Sequence, residues 1–283
     1  MNNTQSLNSH KQLQTMQMTN LQSIKKDIKQ LTNKEKKAVF QKFFKTGKGE
    51  YGEGDIFLGL TTPQLKEIAK KYADLNLKDL QVLLSSKIHE HRFVALTILT
   101  NQYQKTDEKK KMLNQSKKLS FVGAPKICDF CLNQKLLAPI SRKQIFNFYM
   151  KNYNNINNWD LVDCSAYKIA GAYLLSKNKK ILYDFAKSKH LWKKRIAMIT
   201  CYWFIKNNQF VDTLKIARIL LHDKHDLIHK AVGWMLRELG KRNQALEERY
   251  LKKYYKVMPR TMLRYAIERF EEKKRQKYLK TKI

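Results

Sequence analysis

Six side chains in this sequence have types and spacing that could do chemistry: Trp159 with Asp163, Trp192 with Arg195, and Trp234 with Arg237. The first pair stands four residues apart and the other two three apart, so on helices each pair shares a face. A carboxylate set among cations can steady a centre that turns positive during a reaction, and it can orient a water for attack. A guanidinium fork takes phosphate through two parallel bonds. Indole faces attract cations by about 0.5–2 kcal/mol each. Each residue also has a plainer use: an indole at helical spacing fills a core, and an Asp near a helix start serves the helix dipole. The positions three and four residues from Arg237 hold Gly233, Trp234, Gly240 and Lys241, none of them acidic. Glu238 is adjacent and is expected to point elsewhere, which leaves Arg237 without an ion pair inside its own helix.

The rest of the chain supplies the setting. Its 57 Lys and Arg against 24 Asp and Glu give a formal net charge of +33 over 283 residues, an excess that solubility does not require and that points to a polyanionic partner. With 43% hydrophobic residues, the chain has enough apolar material for a packed core and is not a disordered polycation. No window approaches the roughly 18 apolar residues of a membrane span. The polar N-terminus lacks a signal-peptide core, so an intracellular, cytoplasmic location is expected. Cys128, Cys131, Cys164 and Cys201 are too scattered for a disulfide framework. The lone C-x-x-C at Cys128 and Cys131 has no second pair at zinc spacing, so no metal is expected.

Only four prolines and nine glycines occur, and Gly47, Gly49, Gly52, Gly54 and Gly59 fall in one loop. The remainder can be nearly continuous helix, with apolar residues recurring at three and four. Residues 1–19 read as a disordered polar tail, and 20–283 as a single helical domain with an insertion at 106–140, where Phe121 to Pro125 breaks helix. The glycine loop matches neither phosphate-binding pattern and reads as a flexible connection. Thr62-Pro63 reads as a helix start with Thr62 as the cap. Helices are expected over Ile88–Tyr103, Trp159–Ser176, His190–Asn207, Asp226–Lys241 and Thr261–Lys280, among about a dozen with no convincing strand. Paired helices with short polar turns make an all-α solenoid.

Trp159-Asp160-x-x-Asp163, Trp192-x-x-Arg195 and Gly233-Trp234-x-Leu236-Arg237-Glu238, in this order, resemble the DNA alkylation repair enzymes of the HEAT-like-repeat DNA glycosylase family. The resemblance extends from about Tyr51 through Phe57 to Pro63 and His89-Glu90-His91-Arg92 to about Arg269. It implies an α-solenoid of HEAT-like repeats that wraps duplex DNA in a concave basic groove. The implied reaction is hydrolysis of the N-glycosidic bond of cationic N3- and N7-alkylated purines, by a monomer, without metal or organic cofactor. Asp163 would be the catalytic carboxylate, Trp159, Trp234 and Tyr51 would line the lesion site, and Arg195 and Arg237 would hold the DNA backbone. Two departures stand out: the 106–140 stretch is longer than the pattern requires, and Thr61 stands where a larger polar residue is expected.

The chemistry suits these residues. An alkylated purine already carries positive charge and leaves without a general acid, so a single carboxylate that stabilises the oxocarbenium-like sugar and places water suffices. The family's implied mode holds the lesion in the stack rather than in a deep pocket. Two other readings remain open: a non-catalytic solenoid that binds branched or distorted nucleic acid through phosphates, and a scaffold for acidic proteins. An anion in the groove gains a pure phosphate binder nothing.

Overall fold

The computed structural model describes residues 20–119 and 140–280, without the side chains of 107–119. The expected tail at 1–19, the expected helix break at Phe121 to Pro125, and Cys128 and Cys131 lie outside the described residues. The described residues are mainly helical with no strand among them, and they form two compact units divided between Gln102 and Tyr103.

The first unit contains α1 (Asn20–Gln30), α2 (Lys34–Phe43), α3 (Thr62–Lys71), α4 (Leu77–Leu84) and the start of α5 (His89–Leu119). Ile24 and Ile28, one turn apart, bury the inner stripe of α1. The α3 start is shifted by one residue from expectation. Thr61 is the cap, and both its N–H and its hydroxyl donate to Gln64 Oε1 at 2.8 Å. Thr61 is thus committed to ending a loop and starting a helix. The fifth helix runs to Leu119, past the expected end at Tyr103, because no Pro or Gly interrupts the charged run that follows.

The glycine-rich loop is not a flexible connection. Glu90, 1% exposed, accepts the N–H groups of Leu58 and Gly59 at 2.8 Å and of Leu60 at 3.4 Å on one oxygen. Buried Asp55 pairs with Arg92 at 2.6 Å and His89 at 3.3 Å, and His89 stacks on Phe57 with ring centroids 4.3 Å apart. Gly59 has φ +88°, and a Cβ there would lie 2.3 Å from the Asn33 carbonyl oxygen, so only glycine fits. The His89 to Arg92 motif therefore fastens the loop.

The second unit contains α6 (Arg142–Lys151), α7 (Trp159–Ala166), α8 (Lys180–Ala186), α9 (Leu191–Lys206), α10 (Val211–Ile219), α11 (Asp226–Gly240), α12 (Gln244–Tyr254), α13 (Arg260–Ala266) and α14 (Glu272–Lys280). Helix α7 continues through a π turn, Tyr167–Gly171, into Ala172–Leu174. Helices α7, α9, α11 and α13 pack one on the next, with α8, α10 and α12 as partners on the way. That serial stacking is the solenoid pattern.

The single helix expected over Thr261–Lys280 is split. A 3₁₀ turn at Ile267–Arg269 and an extended Phe270 end α13, and Glu272 opens α14. The break lets Phe270 bury its ring against Tyr278, centroids 5.8 Å apart.

Candidate active site

Asn158 starts α7 by accepting the Trp159 N–H at 2.8 Å, which sets Trp159 in the first turn and Asp163 one turn on. From α9, Arg195 reaches that carboxylate with its fork: Nε donates to Oδ1 at 2.9 Å and Nη2 to Oδ2 at 2.7 Å. Its Nη1 donates to the Leu227 carbonyl in the first turn of α11. One guanidinium thus ties α7, α9 and α11 together. The Arg195 side chain is 5% exposed and that of Asp163 17%, so the pair is largely dry while the Asp163 side chain keeps some exposure.

Burial is the largest influence on Asp163 and raises its pKa above the ordinary carboxylate value; Arg195 opposes it, and the Asp160 charge adds to it. Burial also pushes the neighbouring Cys164 thiol up to about 12, so this cysteine is no thiolate nucleophile at neutral pH.

A run of aromatic rings leads from Tyr167 to Trp234. Tyr167, one turn beyond Asp163, meets Tyr202 edge-on at 5.1 Å, and Tyr202 lies 6.0 Å from Trp234. Lys206 sits over Tyr167 and Tyr202 at 5.9 and 5.0 Å. The π turn ends at Gly171, where a Cβ would lie 2.6 Å from the Trp203 Cβ, so the glycine lets this segment pack closely on α9. Single π turns inside helices are frequent at functional sites. Trp159 and Trp234 are half-buried, whereas Trp192 is core.

The structure brings Asp163 and Arg195 into direct contact, and it links Tyr167, on the helix that carries Asp163, to Trp234 through Tyr202. Arg195 is buried against Asp163 and Leu227 rather than presented on the surface as a phosphate ligand. Arg237 is not the unpaired cation expected from its neighbours. Its guanidinium contacts Glu268 and lies 3.5 Å from Glu238, because the end of α13 folds back beside α11. Glu238 also accepts the Trp234 indole N–H at 3.1 Å and pairs with Lys241 at 2.7 Å. Tyr51 is half-buried in the glycine-rich loop of the first unit. Tyr167 and Tyr202 went unnoticed in the sequence, although they stand one turn after Asp163 and two turns after Arg195.

Among the described residues no three His, Cys, Asp or Glu side chains converge to hold a metal ion, and no helix is long and apolar enough to cross a membrane. No curated protein matches the chain by sequence. A solved structure from Enterococcus faecalis, described as a predicted DNA alkylation repair enzyme, is similar in fold. Its TM-score is 0.61 at 16% identity, with 85% of this chain and 97% of that one covered. The family model for DNA alkylation repair enzymes matches residues 24–270. With most of its length matched, and with Asp163, Arg195 and Trp234 inside that span, the chain belongs to the DNA alkylation repair enzyme family.

Proposed function

We propose that this protein is a monofunctional DNA glycosylase that hydrolyses the N-glycosidic bond of cationic N3- and N7-alkylated purines in duplex DNA. The observation that carries the reading is the Asp163 carboxylate, held by the buried Arg195 fork on a side chain that is still partly exposed. A cationic base needs no proton to leave. The barrier lies in the positive charge that grows on the sugar, and a fixed, partly desolvated carboxylate stabilises that charge strongly because it need not reorganise. The same oxygens orient the attacking water. Arg195 acts as a positioning residue: it sets the carboxylate's direction and favours its ionised form against burial.

Trp159 and Trp234 provide indole faces to the charged lesion, and Tyr51 is assigned to it on the family resemblance alone. Arg237 grips the DNA backbone by exchanging Glu268, which is half exposed, for a phosphate oxygen. The protein acts as a monomer inside the cell, and the chemistry draws on no cofactor.

Asp163→Asn tests the reading. The variant should release no 7-methylguanine from methylated duplex while its duplex affinity stays within a few-fold of the parent, with a thermal melt to verify folding. Base release at the parent rate overturns the assignment.

A further inference from the structure

Helix α14 begins at Glu272, just past the end of the family match at residue 270, so the family likeness does not account for it. It is nevertheless a docked element. Tyr278 meets Tyr255 edge-on at 5.5 Å, Lys274 pairs with Glu248 on α12 at 2.6 Å, and Arg260 Nη2 donates to the Leu279 carbonyl at 2.7 Å. Lys274 and Tyr278, four apart, form the docking face. Lys273, Lys277 and Lys280, at spacings of four and three, form another.

Between α12 and α14 lies an open cleft of about 490 Å³ lined by Gln244, Ala245, Glu248, Arg249, Lys252 and Lys274. The Lys274 to Glu248 pair cancels two of its charges, which leaves Arg249 and Lys252 as its net cations. Arg249 and Lys252, and Lys273 and Lys280 on α14, have no acidic partner among the described residues.

We propose that α12 and α14 form a second duplex-binding surface, separate from the Asp163 site, which takes backbone phosphates through Arg249, Lys252, Lys273 and Lys280. Charge complementarity selects the partner. Spaced cations on a docked pair of helices suit a regular polyanion, and DNA is the polyanion this family acts on. A protein partner would need an apolar core to its interface, and neither helix exposes a large apolar side chain. The surface requires only that the partner be duplex DNA; it does not depend on which bond the enzyme breaks.

The test is the salt dependence of binding to a long undamaged duplex. Substituting Arg249, Lys252, Lys273 and Lys280 together by Gln should lower the log-log slope by about three to four and weaken low-salt affinity about 10- to 100-fold. Exchanging Arg and Lys at the same four positions should preserve the slope. An unchanged slope in the Gln variant overturns the proposal, as does a lost slope in the charge-preserving one. Loss of binding to polyglutamate with duplex binding intact also overturns it and assigns the surface to an acidic protein. Undamaged duplex releases no base, so these outcomes are independent of the Asp163→Asn result.

Discussion

Arg195 closes on Asp163 with two parallel hydrogen bonds, at 2.9 and 2.7 Å, in a setting where neither side chain is well hydrated. Burial favours the neutral acid and the guanidinium favours the carboxylate, and burial prevails, so the Asp163 pKa lies above its ordinary value of 3.8.

That balance fixes a pH dependence. Activity that needs ionised Asp163 is lost as pH falls through a pKa higher than 3.8. Arg195→Gln removes the influence that lowers this pKa, so the acid limb of single-turnover base release should move further towards neutrality. The loss should fall mainly on kcat rather than KM. A limb that stays put, with KM alone affected, would mean that Arg195 binds DNA and does not position the carboxylate.

Gly233, next to Trp234, lets α11 and α13 approach closely. A Cβ there would lie 2.4 Å from the Met262 carbonyl oxygen and 2.5 Å from the Tyr265 Cβ. Neither neighbour is the flexible end of a side chain, so Gly233→Ala must push the two helices apart. Overpacking of this kind costs about 1–3 kcal/mol. Urea unfolding should show that loss, and unfolding at the parent midpoint would refute the close approach.

Glu247 is 2% exposed, has an oxygen without a hydrogen-bond partner, and is pushed up to about 8 by burial first and the Glu248 charge second. The folded chain therefore holds this proton across a range in which the unfolded chain, near 4.5, has lost it. The contribution to stability is complete below the unfolded value and is lost as pH rises through the folded one. Glu247→Gln should flatten that slope and gain a few kcal/mol at pH 8 over the parent, with little difference at pH 4.5. Denaturant titrations at the two pH values decide it; equal shifts at both would place the ionisation elsewhere.

The helices were legible because their apolar spacing is local: Ile24 with Ile28, Ile145 with Tyr149 and Ile196 with Ile199 are buried one turn apart. The residue types of the site were legible for the same reason. Their pairing was not. Arg195 lies 32 residues from Asp163, and an Arg that grips a carboxylate looks in sequence like one that grips phosphate. Arg237 meets Glu268 only because α13 returns beside α11. The close approach of Gly171 to Trp203, at the end of the π turn, is a contact that no periodicity of α7 encodes.

Glu90 gives the glycine-rich loop a fate that its composition conceals. Consecutive amides turned towards one point form a nest of the sort that proteins use to seize external anions. Here the seat is already taken by a resident oxygen from thirty-odd residues along the chain. The loop has the build of a phosphate cradle and is closed to phosphate, for its guest is a part of the host.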